Sequence, residues 1–324
     1  MFRDDGGQPS VLVEYPGPDP DPDKQDIFVY VRPETNSVQI ESRLLRVVKR
    51  CPAYRNGLKL IYMANLPGEY MIRHRVIERH YSHTLFFAVH GAASFSEPMK
   101  REFEMRSGEP FSKERIIGGF EALSVLGMTP EGLFAVWVDE DAVITVAGQT
   151  LKFIDGYWII GYDIPALMHK NTRNTDIAVM LFRTTLGYTY FSHLVSDMFS
   201  DIRGDGLVDT RMPRSRVFHY SRSPFEQLLD GTGYLVVDGH GPAGIADLSF
   251  AQFAMSRGFG LNVLAGILSN PMIIWDRPDG ECIERDIYSA TEHMNCRQAL
   301  AHSMRARAQR LLHRLQPVDR EAIR

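Results

Sequence analysis

The stretch Val143-Ile-Thr-Val-Ala-Gly-Gln-Thr-Leu-Lys-Phe-Ile-Asp-Gly-Tyr-Trp-Ile-Ile-Gly-Tyr162 constrains the fold more than any other. Three short apolar runs are separated by Ala147-Gly148-Gln149 and Asp155-Gly156. A compact Asp-Gly loop between such runs is a strong hairpin signal, because both central positions of the favoured turn need positive φ. An antiparallel β-meander over residues 142–163 is therefore expected.

Helical periodicity occurs elsewhere in the chain, so sheet and helix must share layers. Ile40, Leu44, Val47 and Val48 form an apolar stripe over residues 38–50, with Arg43, Arg46, Lys49 and Arg50 opposite. Phe191, Leu194, Val195, Met198, Phe199 and Ile202 mark another amphipathic helix. Ser96 and Ser112 suit N-caps, and Gly108 and Gly127 suit C-terminal stops, for helices near 96–107 and 112–126. Thr129-Pro130 opens a short helix running to about Val138. Leu58–Asn65 reads as a strand, Pro67 as the start of a helix to about Ser82, and Thr84–His90 as a second strand. Strand, helix and strand in succession imply parallel pairing through a right-handed crossover. The expected fold is α/β: a mixed, partly parallel sheet with helices on both faces and an inserted antiparallel meander.

Three regions follow from composition. Residues 1–26 hold the alternation Gly17-Pro-Asp-Pro-Asp-Pro-Asp23, expected to be a disordered acidic leader. Residues 27–288 form the α/β domain. Residues 289–324 carry Leu300, Met304, Ala308, Leu311, Leu312 and Leu315 at helical spacing, with Arg297, Arg305, Arg307, Arg310 and Arg314 largely elsewhere around them, and read as a basic amphipathic helix that could meet a protein partner. At 44% apolar residues the chain can bury a substantial core. A net charge of −4 argues against a protein whose whole surface binds nucleic acid and leaves room only for a local basic patch. No basic region precedes an apolar run at the N-terminus and no apolar stretch is long enough to span a bilayer, so a cytoplasmic protein without a transmembrane segment is expected. Cys51, Cys282 and Cys296 have no metal-ligand spacing and suit reduced thiols.

Candidate chemistry centres on Gly233-Tyr-Leu-Val-Val-Asp-Gly-His-Gly-Pro-Ala-Gly244, read as an apolar strand entering a glycine-rich turn. Asp238 and His240 would leave the sheet there as an acid and an imidazole able to bind metal, move a proton or hold a phosphate, with Gly239 and Gly241 admitting a ligand's close approach. Asn65 and His90 end the other two expected strands, and Lys170 and Arg173, in the connector between residues 163 and 176, could hold an anion. His80 and His83 lie at spacing that could place both on one helix face, but no thiol or well-placed carboxylate accompanies them, and no metal site or cofactor is assigned. Residues 203–224 hold five arginines without apolar periodicity and read as a long surface loop.

The four residues Asp238-Gly239-His240-Gly241 resemble the signature of metal-dependent serine/threonine phosphatases of the 2C type, in which the Asp is a manganese or magnesium ligand. Pro242 stands where that family has glycine, and only 83 residues follow Gly241, whereas the family carries the motif early. The phosphatase chemistry is not carried across. Two readings follow. In the first, the chain binds or acts on a small phosphorylated or nucleotide-like ligand, with Asp238, His240 and His90 as catalytic groups. In the second, it is a non-catalytic regulatory or scaffold protein that meets partners through its termini and Arg-rich loop.

Overall fold

The computed structural model describes residues 7–33, 35–54, 56–209, 212, 214–237, 241–276 and 280–309. In chain order the strands are β1 Ser10–Val13, β2 Gln25–Val31, β3 Leu58–Leu66, β4 Ile116–Gly118, β5 Val143–Val146, β6 Gln149–Ile154 and β7 Tyr157–Ile160. They continue with β8 Ile177–Thr184, β9 Phe218–Tyr220, β10 Val236–Val237, β11 Gly241–Pro242, β12 Met272–Asp276, β13 Cys282–Asp286 and β14 Ala308–Gln309. The helices are α1 Val38–Arg50, α2 Gly68–Arg73, α3 Val76–His80, α4 Ser82–His90, α5 Glu97–Ser107, α6 Gly119–Leu126 and α7 Pro130–Ala135. After these come α8 Ile164–Lys170, α9 Gly187–Gly204, α10 Pro224–Tyr234, α11 Ser249–Ser256, α12 Leu261–Ser269, α13 Ile287–Ala290 and α14 Cys296–Ser303. The chain is thus α/β. No helix among the described residues is long and apolar enough to cross a membrane.

These elements gather into two units. Unit 1 comprises Met1–Val76, Thr172–Ala265 and Thr291–Ser303; unit 2 comprises Ile77–Asn171, Gly266–Ala290 and Met304–Arg324.

Unit 1 is built on an antiparallel sheet of order β1-β3-β8-β2-β9. Strand alternation divides its side chains between two faces. Ile27, Val29 and Val31 of β2, Ala178, Met180 and Phe182 of β8, and Phe218 and Tyr220 of β9 pack on the apolar stripes of α1 and α9. The residues between them, Asp26, Phe28 and Tyr30 of β2, Arg183 of β8 and His219 of β9, point to the other face, which α10 and α11 cover. In β3 the register against β8 slips between Leu60 and Tyr62. One extra residue exchanges the two faces of a strand. Beyond the slip, Met63 joins the α1/α9 core opposite Met180, and Tyr62 turns to the polar face opposite Leu181.

Unit 2 contains the expected meander. β5, β6 and β7 pair in antiparallel order, and β4 adds to β7 in parallel, giving a mixed sheet of order β4-β7-β6-β5. Both turns are the positive-φ kind: Ala147 and Gly148 at 50° and 87°, Asp155 and Gly156 at 46° and 88°. Helix α4 passes so close to the ends of β4 and β7 that a Cβ on Gly118 would lie 2.2 Å from the Ala88 carbonyl oxygen, and one on Gly161 2.7 Å from the Ala88 Cβ. A second sheet, β13-β12-β14, completes the unit.

Several expectations are corrected. Thr84–His90 is helix, not strand, and the two strands that pair with β3 among the described residues, β1 and β8, both run antiparallel to it, so the predicted crossover to Thr84–His90 does not form. A short apolar run cannot be assigned to strand or helix by periodicity alone. Residues 112–126 divide into β4 and α6, with Ile116 in the strand. The leader is not idle: Ser10–Val13 is paired to β3. The terminal helix stops at Ser303 and gives way to β14; Leu311, Leu312 and Leu315 lie outside the described residues. The supposed strand from Gly233 is the end of α10 followed by the two-residue β10.

Candidate functional site

The predicted site residues are distributed over both units. Asp238, Gly239 and His240 lie outside the described residues, and Gly241 begins β11, paired with Val237. Asn65 sits near the end of β3 and its Nδ2 donates to Asp176 Oδ2 at 3.3 Å. His90 ends a helix rather than a strand, exposed and tilted against Phe86 with ring centroids 4.6 Å apart. Lys170 closes α8 in unit 2, its Nζ 5.9 Å from the centre of the Phe134 ring. Arg173 is exposed in the turn of unit 1 before β8. His80 and His83 fall on separate helices, α3 and α4, which removes the shared face.

The dense chemistry is instead on the polar face of the unit 1 sheet. Asp26 and Arg183 stand directly opposite one another on β2 and β8. Their pairing is bidentate, with Nε to Oδ1 at 2.7 Å and Nη2 to Oδ2 at 2.8 Å. That geometry matches the fixed fork of a guanidinium to a carboxylate. Ser249 at the start of α11 donates to Asp26 Oδ2 at 2.5 Å and accepts from Arg183 Nη2 at 3.1 Å. The leader is tied to the same knot: Asp19 N donates to Ser249 Oγ at 2.9 Å and Gly17 O accepts from Arg183 at 3.1 Å. Burial and the Asp26 charge push the Tyr15 phenol up to about 12, so it stays protonated. Every charge in this knot is answered by another, which marks it as structural.

Next to it, a second group contains an imidazole. His219 lies on β9 with its ring stacked on Tyr30 at 4.7 Å. Its Nε2 is 3.7 Å from Glu226 Oε1 and 3.6 Å from Asp230 Oδ2. The two carboxylates are four residues apart on α10 and so share a face of that helix. Ser223 caps the helix by accepting from Glu226 N at 3.1 Å, and Pro224 opens its first turn. Asp230 is fully buried and accepts from Ser221 Oγ at 2.6 Å, and Ser221 in turn accepts from Phe28 N at 3.1 Å. Glu226 Oε2 accepts from Arg222 N at 2.6 Å, and Arg222 reaches Glu292 at 3.2 Å. The His219 side chain keeps 16% of its surface open.

Burial pushes the His219 pKa down to about 3, opposed by Glu226 and assisted by the positive charges of Arg32 and Arg222. The ring is therefore neutral at physiological pH and holds a lone pair.

Sequence reasoning passed over this group because residues 203–224 read as a loop. Two signals were present. Phe218-His219-Tyr220 alternates as a short strand does, and Ser223-Pro-Phe-Glu226 is a helix-start signature with Asp230 one turn on. No protein-family model matches the chain, and neither a curated protein nor a solved structure matches it.

Proposed function

We propose that unit 1 binds a small anionic molecule, of the phosphorylated or nucleotide-like class, at the edge of the sheet marked by Arg32 and Arg222, and exchanges a proton with it through His219. The observation that supports this reading is the partly open imidazole, 16% exposed, lodged between Glu226 and Asp230 with two guanidinium charges acting on it. Anion entry adds negative charge beside the ring and raises its proton affinity. The neutral ring then accepts a proton that it holds poorly without the ligand. Glu226 and Asp230 steady the charged ring, and Ser221 holds Asp230 in position.

The test is an NMR titration of the full chain with inorganic phosphate and with a nucleoside monophosphate, following the His219 ring protons. The R222M variant should bind at least about tenfold more weakly, since a hydrogen bond to a charged group contributes about 1.5–3 kcal/mol. Unmoved His219 signals, or equal affinity in R222M, would retire the proposal.

The scaffold reading is favoured by one feature, Trp137 of unit 2, which is 80% exposed. Exposed tryptophans are frequent anchors of protein interfaces. On that reading W137A abolishes capture of a partner and leaves the phosphate titration unchanged.

A further inference from the structure

Lys152 is a buried cation of unit 2. It lies on β6 directly opposite Ile159 of β7, and alternation puts it on the same face as Ile154, where Leu133, Ile154 and Ile159 form an apolar cluster. Only 8% of the residue is exposed. Its Nζ donates to the Val136 carbonyl at 2.5 Å and sits 4.5 Å from the centre of the Tyr162 ring. Among the described residues no carboxylate lies within 4.0 Å of it to form an ion pair. Asp163, whose field it feels, is exposed to solvent.

A buried ammonium without a counter-ion is an unfavourable state, and proteins resolve it by favouring the neutral amine. The Asp163 charge, the Tyr162 face and the Val136 carbonyl all favour the protonated form, but Asp163 is exposed to solvent, which screens its field, and the other two bring no full negative charge. Burial wins, and the Lys152 pKa falls below the ordinary lysine value. The cover over the amine is thin. Val136 ends α7, the segment through Asp139 has neither helix nor strand, and the exposed Trp137 lies within it.

We propose that Lys152 is a carbonyl-reactive amine, the attachment site for a small apolar or aromatic aldehyde that enters between Tyr162 and the 136–138 segment. The Nζ lone pair attacks the carbonyl carbon, and the C=O π pair moves to oxygen, which takes up a proton as Nζ gives one up. Loss of that hydroxyl as water forms the C=N bond. Amine plus aldehyde yields imine plus water, and no oxidant, reductant or metal is needed. The apolar walls suit an uncharged carbonyl compound, and displacing the Val136 carbonyl from Nζ is the step that admits it.

The experiment incubates the full wild-type chain at pH 7 with benzaldehyde and cyanoborohydride, which reduces any imine to a stable amine, followed by peptide mapping. Lys152 should be labelled ahead of the exposed Lys49, Lys59 and Lys113. Each unit of lowered pKa raises the reactive neutral fraction about tenfold at this pH. Repeating the labelling from pH 6 to 10 should give Lys152 a lower midpoint than the exposed lysines. Labelling of the exposed lysines with Lys152 untouched, or a shared midpoint, overturns the proposal. Because both readouts come from the unaltered chain, misfolding of a variant cannot mimic either. Y162F, which retains the ring, should label like wild type, whereas a loss of Lys152 labelling in Y162F would contradict the apolar entry route.

Discussion

At the scale of residues, the polar face of unit 1 contrasts two ways of burying charge. Asp26 and Arg183 satisfy each other bidentately, and Ser249 takes up a remaining lone pair. Removing one partner of such a pair strands the other, at a cost of about 3–5 kcal/mol. D26N should therefore lower the urea midpoint sharply, and a D26N/R183M double variant should recover part of the loss; additive losses would show that the pair is not coupled. His219 is the opposite case, an imidazole kept neutral. Its folded pKa of about 3 lies below the unfolded value near 6.5, so between these the unfolded chain binds a proton that the folded chain refuses. The stability it contributes is full above pH 6.5 and is lost as the pH falls toward 3, by at most about 1.4 kcal/mol per unit. Comparing urea midpoints at pH 7 and pH 5, wild type should lose more than H219F, whose ring can still stack on Tyr30. Equal losses would place the acid sensitivity elsewhere.

At the scale of elements, the meander of unit 2 separates the demand of a turn from the demand of packing. Gly156 and Gly161 both adopt positive φ, at 88° and 65°, but a Cβ on Gly156 meets nothing within 4 Å while one on Gly161 meets Ala88 at 2.7 Å. G156A should then cost about 1–2 kcal/mol, the conformational term alone. G161A should cost clearly more, because α4 must move, and similar thermal shifts for the two variants would refute the close packing. These elements also show why some of the fold was legible in advance. Asp155-Gly156 and the cap pairs Ser96/Gly108 and Thr129-Pro130 act locally, so their residue types declare them. Thr84–His90 lacks such marks: its apolar run Leu85–Val89 has no clear period, and its helix packs closely against Gly118 and Gly161. The Tyr62 slip was likewise invisible, since a bulge is defined only against its partner strand.

At the scale of the whole molecule, the chain crosses between its two units repeatedly, yet each has cores of its own. All three tryptophans, Trp137, Trp158 and Trp275, belong to unit 2. Tryptophan fluorescence therefore follows unit 2, whereas far-UV circular dichroism follows both. D26N, a unit 1 lesion, should shift the dichroism midpoint further than the fluorescence midpoint, and coincident shifts would mean that the units unfold together. By itself the sequence determined the presence of a meander, the amphipathic faces of α1 and α9, the helix ends at Ser96, Gly108, Gly127 and Thr129, and the α/β class, all of which depend on neighbours within a few positions. Only the tertiary structure decided that β2, β3 and β8 pair antiparallel, that Asp26 meets Arg183 across 157 residues, and that His219 lies between Glu226 and Asp230. The physical reason is that burial and cross-strand register bring together groups distant in the chain, and a side chain's charge state follows from what then surrounds it.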